Sequence, residues 1–352
     1  MDRNKAISFI ESSTFSHLLS DQEVTDISYN GREVYYFHNY MGRQKSEMLF
    51  GTQEAHDFIR QIANLTESAF SFSDPVLDIS FGRYRINAVH HAIGRVGDQK
   101  VITFSIRIVS SQTRINDEDI PKAVRELFDI IIASRLSIVI AGTTGSGKTE
   151  LQKYIISKMP PNERIIVIDN VNELTSVCYE NDVDSNFWII DGDTSNQIQM
   201  LVRNALRSNP DWIIIAESRG KEMMEILNAS LTGHPVVTTI HAIDSSSIIN
   251  RMSKMIMMNG NNINYENAST DLINAFRFFV FLKRSINKNG LVRRYISSIS
   301  IGDGFNKPSI IFSSNGNVHK FEKIDKTHYQ NLEISEKQTE FYKVFIKGEN
   351  NG

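Results

Sequence analysis

Residues 136–149 read Leu-Ser-Ile-Val-Ile-Ala-Gly142-Thr143-Thr144-Gly145-Ser146-Gly147-Lys148-Thr149. A β-branched apolar run ends there on a full match to the phosphate-binding pattern G-x-x-x-x-G-K-[ST], and a helical pattern begins at Lys148. The spacing follows from the chemistry. Glycines let successive backbone N–H groups turn inward around phosphate oxygens, where side chains would block them. Lys148 places a cation on the β- and γ-phosphates, and the Thr149 hydroxyl is a ligand for Mg²⁺. The helix that follows directs its positive end at the same anion. A chance match in a surface loop would not need a buried-type strand before it and a helix after it. These residues therefore predict a nucleotide site.

Around the loop the pattern is that of an α/β domain. A helix is expected over 120–134, strands over 136–141, 164–169, 212–216 and 236–240, and helices near 197–208, 221–231 and 245–257. Strands alternating with helices predict a mostly parallel sheet covered on both faces. Before residue 110 the reading differs. Strand-like runs at 24–37 (with Asn30-Gly31 as a turn), 76–80, 84–89 and 101–109, plus a helical pattern over 52–68, predict a small α+β domain. The expected division is a first domain over 1–109, a linker over 110–119, the P-loop domain over 120–325, and a polar, peripheral tail over 326–352. Asn289-Gly290 and Asn315-Gly316 read as hairpin turns.

Composition narrows the function classes. With 352 residues, two domains are the default, and 41% hydrophobic against 22% charged residues suits a soluble globular chain. The 38 basic and 41 acidic side chains give no basic excess, which argues against broad nucleic-acid binding. One cysteine, Cys178, excludes an internal disulfide and a cysteine-cluster metal site. No apolar run approaches the length of a membrane span, so a cytoplasmic protein is expected, meeting membranes through partners.

Three further segments, read together with the loop, resemble the traffic ATPases of type IV secretion, type II secretion and type IV pilus systems. Arg164-Ile-Ile-Val-Ile-Asp169-Asn170-Val-Asn-Glu173 is similar to their Asp box. Ala205 through Gly220, with Pro210-Asp211-Trp-Ile-Ile-Ile-Ala216-Glu217-Ser-Arg219, is similar to their Walker B segment. Thr232-Gly233-His234 through Thr239-Ile-His241 is similar to their His box. Arg85-Ile-Asn87 and Ser105-Ile-Arg107 resemble the arginine-bearing strands of their N-terminal domain. Two positions depart from the family pattern: Asp169-Asn170 stands where Glu-Asp is usual, and Ala216 where Gly is usual.

The resemblance implies an N-terminal α+β domain followed by a RecA-like P-loop domain, and ATP and Mg²⁺ as cofactors. It implies a homohexamer working on membrane-associated secretion or pilus machinery at the inner face of the cell membrane; the even charge balance leads to no direct nucleic-acid binding being expected. Glu217 would position the attacking water, while Glu173, with Asp169 beside it, would join Thr149 and Glu217 around the metal. His234 and His241 would sense the γ-phosphate, and Arg85 and Arg107 would reach it from the first domain. Each residue also has a plainer reading: a solvated loop glutamate for Glu217, a helix-start cap for Glu173, packing histidines, and surface arginines. The Met-rich run 252–258 has helical spacing and reads as core or subunit contact. The type IV secretion branch is favoured over a pilus motor. A DNA-translocating ring and a non-catalytic nucleotide-binding scaffold are the alternatives of other classes.

Overall fold

A computed structural model describes residues 3–110, 112–170, 172–180, 183–190, 194–260, 263–302, 307–330 and 332–349. Ser111 of the expected linker and Val171 of the acidic segment lie outside them. The chain forms two compact units. One comprises Met1–Ser110 with Ile286–Arg293, the other Ser111–Ser285 with Arg294–Gly352.

The first unit contains helix α1 (Arg3–Glu11), strands β1 (Val24–Tyr29), β2 (Val34–His38) and β3 (Gly42–Lys45), helix α2 (Thr52–Leu65), then β4 (Val76–Phe81), β5 (Tyr84–Val89) and β6 (Thr103–Ile108). The six strands make one antiparallel sheet in the order β3-β2-β1-β6-β5-β4. The Asn30-Gly31 turn joins β1 to β2, with Gly31 at φ +94°. Helix α2 forms where the apolar spacing predicts. Ala55, Phe58, Ile59 and Ile62 are all buried on one face, and the Glu54 carboxylate accepts the Gly51 N–H at 2.6 Å to close its first turn.

The second unit runs α3 (Lys122–Ala133), β7 (Ile138–Gly142), α4 (Lys148–Ser157), β8 (Ile165–Asp169), β9 (Ser185–Ile189), α5 (Thr194–Ala205), β10 (Trp212–Ser218), α6 (Met223–Leu231), β11 (Val236–His241), α7 (Ile248–Met257), α8 (Tyr265–Ala275), β12 (Phe278–Ile286), β13 (Val292–Ile301), β14 (Ser309–Ser314) and β15 (His319–Phe321). Nine strands align as β9-β8-β10-β11-β7-β12-β13-β14-β15. From β9 to β12 every pairing is parallel. Strands β7 and β8 are buried along their whole length, because helices cover both faces of the sheet. This is why they read as unbroken apolar runs rather than alternating ones. In the Met-rich run Met252 and Met255 are core residues, while Met257 and Met258 are exposed.

Three expectations are corrected. Strand β9, at the sheet edge, was not anticipated; its residues are only partly buried, so no apolar run announces it. Residues 286–293, expected inside the P-loop domain, cluster with the first unit, where the Val292 N–H donates to the Tyr40 carbonyl at 2.7 Å. The expected peripheral tail is also partly core. Phe341, Val344, Phe345 and Ile346 are buried, and the Phe341 N–H donates to the buried Glu126 carboxylate at 2.6 Å. Satisfying that carboxylate and filling the surface of α3 hold the segment in place.

Candidate nucleotide site

The P-loop leaves the carboxyl end of β7, where open parallel sheets present a crevice for ligands. Gly145 and Gly147 take φ of +72° and +95°, which side-chain-bearing residues rarely adopt. A Cβ on Gly142 would collide with the Ser146 Oγ and come within 2.6 Å of the Leu282 carbonyl oxygen. The loop therefore turns tightly into α4. Lys148 is 8% exposed; its Nζ lies 3.2 Å from the Gly142 carbonyl oxygen, 3.2 Å from that of Thr143 and 3.3 Å from His241 Nδ1. Burial lowers its pKa to about 8, against the pull of the Glu217 and Glu173 carboxylates. A nearby anion would favour the charged form of this ammonium.

Parallel register brings the other residues here. Gly142 on β7 pairs with His241 on β11, and Glu217 lies near the carboxyl end of β10, the next strand over. His241 Nε2 is 3.0 Å from Glu217 Oε1. With Nδ1 facing the Lys148 ammonium, the ring is a neutral tautomer bearing its proton on Nε2. Burial, then the adjacent Lys148, hold its pKa below the usual value. Despite this contact, Glu217 Oε1 is a buried oxygen without a hydrogen bond among the described residues. Glu217 Oε2 accepts from Arg219 at 2.6 Å. Asp169 ends β8 and is buried; its Oδ2 accepts the N–H of Glu173 at 2.8 Å and of Leu174 at 3.3 Å. Asp169 thus shapes the turn that carries Glu173.

The oxygen donors of Thr149, Glu217 and Glu173 suit a hard cation such as Mg²⁺. The orphaned Glu217 oxygen is the observation that supports this fit, since a buried carboxylate oxygen requires a partner.

His234 lies elsewhere in the second unit, and Arg85 and Arg107 belong to the first unit. His234 precedes the amino end of β11, the opposite end from His241, about 20 Å along the strand at its usual rise. It faces Thr232 Oγ1 at 3.3 Å and is not brought to the loop of its own chain. Arg85 and Arg107 are directly opposite each other on β5 and β6 of the first unit. Arg85 pairs with Asp78 at 3.4 Å and Arg107 with Asp26 at 3.3 Å.

Three arginines escaped the sequence reading as site residues. Arg219 pairs with Glu217, which its position two residues on could have suggested. Arg294 on β13 donates from Nε to the Gly145 carbonyl at 2.8 Å, and its Cδ lies 3.6 Å from where a Cβ on Gly147 would stand. Arg284 on β12 brings a guanidinium nitrogen to 2.9 Å from the Cβ position of Gly145. Only folding reveals these two, because they stand far from the loop in the chain.

The family model described as Type II/IV secretion system protein matches residues 94–295, more than half of the 352. The chain belongs to this family. Among its relatives, an uncharacterized protein of Bacillus anthracis is 31% identical over 288 residues, 77% of this chain and 62% of that one. The type IV secretion system protein PtlH of Bordetella pertussis is 36% identical over 128 residues, 36% of this chain and 38% of its own. The chain thus spans less than two thirds of the length of these curated relatives. The solved ATPase DotB of Legionella pneumophila superposes with a TM-score of 0.61 at 20% identity, covering 86% of this chain and 82% of DotB. The pilus retraction motor PilT gives 0.52 at 18%, covering 80% and 81%. The RecA-like architecture of this Type II/IV secretion family is thereby the fold of the second unit's sheet.

Proposed function

We propose that this member of the Type II/IV secretion family hydrolyses ATP as an oligomeric motor, a homohexamer serving a type IV secretion apparatus. The observation that carries the reading is the convergence of Lys148, Glu217 and His241 at the ends of three neighbouring parallel strands. The loop amides and Lys148 bind and orient the phosphates. Glu217 orients water for attack on the γ-phosphoryl group, after its oxygens exchange Arg219 and His241 for the substrate's water. Thr149, Glu173 and Glu217 would hold Mg²⁺, which supplies charge neutralisation on the phosphate oxygens. His241, a neutral ring between the loop lysine and the catalytic carboxylate, links occupancy of the one to the position of the other.

Arg85 and Arg107 supply transition-state charge from the first unit in this reading. Each would leave a carboxylate partner to do so, and exposed pairs of this kind are worth about 0–1 kcal/mol, a small cost. A likeness to PtlH favours secretion, while the fold likeness to PilT leaves pilus assembly as the second reading. Among the described residues no helix is long and apolar enough to cross a membrane; work at the inner membrane face would be through partner proteins. The test is the Glu217→Gln variant, which should bind ATP with near-normal affinity and hydrolyse it about 10²–10³ more slowly. Normal turnover in Glu217→Gln with loss in Glu173→Gln would reverse the two carboxylates.

A further inference from the structure

The first unit brings together three imidazoles that the nucleotide chemistry does not use. His56 projects from the second turn of α2, and His90 and His91 follow the end of β5. One ligand atom of each lies within 4.8 Å of the other two. The His90 and His91 rings are 4.0 Å apart between centroids, and His56 and His91 are 5.8 Å apart. The edges of Phe70 and Phe72 wall the cluster, at 5.0 and 5.1 Å from His90. His90 is 4% exposed, while His56 and His91 are half-buried. On their open side is a cavity of about 240 Å³, whose lining includes His56, His91, Gln53 and Lys100.

Packing alone explains one buried histidine, but three converging nitrogen donors beside an open cavity have a stricter chemical meaning. We propose that His56, His90 and His91 form a Zn²⁺ site that ties α2 to the end of β5, with its fourth position open to the cavity. A donor set of imidazoles without carboxylate suits zinc and its neighbours among the transition metals, not Mg²⁺ or Ca²⁺. Three histidines and an open position are a recurrent arrangement for zinc.

The surroundings support the set and bound its strength. His56 Nδ1 faces Asp57 Oδ1 at 3.4 Å, the carboxylate-behind-imidazole arrangement that leaves Nε2 for the metal. Asp57 is itself held by Gln53, at 3.1 Å to each carboxylate oxygen. Burial, and the mutual repulsion of the three rings, hold His90 and His91 below the usual histidine pKa and so keep them neutral. Two features oppose binding. His90 Nδ1 accepts the Ala92 N–H at 3.1 Å, so coordination by this ring gives up one backbone hydrogen bond. Lys100 and Arg95 add positive charge beside His91. Zinc–nitrogen bonds of about 2.0–2.1 Å place donors about 3.4 Å apart, so the rings must close in by roughly 1 Å. His56 and His91, being half-buried, have room to turn. The site should therefore bind more weakly than a four-ligand structural zinc site.

The test uses the full chain without a polyhistidine tag, titrated with Zn²⁺ alone against a chromogenic chelator, with Co²⁺ as a spectroscopic stand-in. One Zn²⁺ per chain is expected, weakened at least tenfold in both His56→Ala and His91→Ala and retained in the exposed control His17→Ala. Zinc should also raise the thermal midpoint of the wild type but not of His91→Ala. These two half-buried positions avoid the folding defect that replacing His90 would risk. Failure to bind Zn²⁺, or binding that persists equally in both variants, overturns the proposal.

Discussion

Arg294→Ala tests whether a residue distant in sequence sets the shape of the phosphate loop. Its Nε donates to the Gly145 carbonyl at 2.8 Å, at a residue held in left-handed backbone conformation. A hydrogen bond from a charged donor is worth about 1.5–3 kcal/mol when buried, and water access at this half-exposed site reduces that to about 1 kcal/mol. If the bond pre-forms the loop, its loss appears as weaker nucleotide binding, and 1 kcal/mol corresponds to roughly a fivefold rise in Kd. Calorimetric titration with ADP isolates this effect from hydrolysis. Arg294→Ala should raise the Kd about 3- to 10-fold, and Arg294→Lys, which keeps charge but loses Nε, should fall between it and wild type. An unchanged Kd would mean the loop holds its own shape. A loss of a hundredfold or more would mean that Arg294 contacts the nucleotide itself, and either result refutes the reasoning.

Phe345 is fully buried, with ring centroids 5.2 Å from Phe341 and 5.5 Å from Phe321. Phe345→Ala should destabilise the second unit by about 3–5 kcal/mol in denaturant unfolding; a change below about 0.5 kcal/mol would return residues 326–349 to the status of a peripheral tail. Arg107→Ala should cut single-turnover hydrolysis by about 10³-fold or more while ATP affinity changes little, as expected of a cation that acts on the transition state. Equal rates in Arg107→Ala and wild type would leave Arg107 as a partner of Asp26 alone.

The parts of the fold that could be read from sequence are those where one local rule dominates. The loop glycines, the doubly buried strands and the Asn-Gly turns each state their conformation within a few residues. The edge strand β9 has neither continuous nor alternating apolar character, so periodicity passed over it. Phe341, Val344, Phe345 and Ile346 are embedded among Lys and Glu residues, and packing on α3 and on Phe321 of β15 explains their burial. At the site, Lys148, Glu217 and His241 were legible because strand ends of a parallel sheet must meet. His234 and His241 stand apart because the motif that contains both spans the two ends of β11. Arg294 reaches Gly145 across 149 residues of chain, and His56 meets His90 and His91 only through the packing of α2 on the sheet. No local spacing encodes contacts of that kind.

The central claim is that the Gly142–Thr149 loop is the working site of an ATPase, and Lys148 is its most direct handle. Its buried Nζ has the Gly142 and Thr143 carbonyl oxygens and His241 Nδ1 as its hydrogen-bond partners among the described residues. Phosphate release from ATP in the presence of Mg²⁺ should be measurable for the wild type and should fall to background for Lys148→Ala, with the circular dichroism spectrum unchanged. Hydrolysis by a folded Lys148→Ala variant at the wild-type rate would contradict the account.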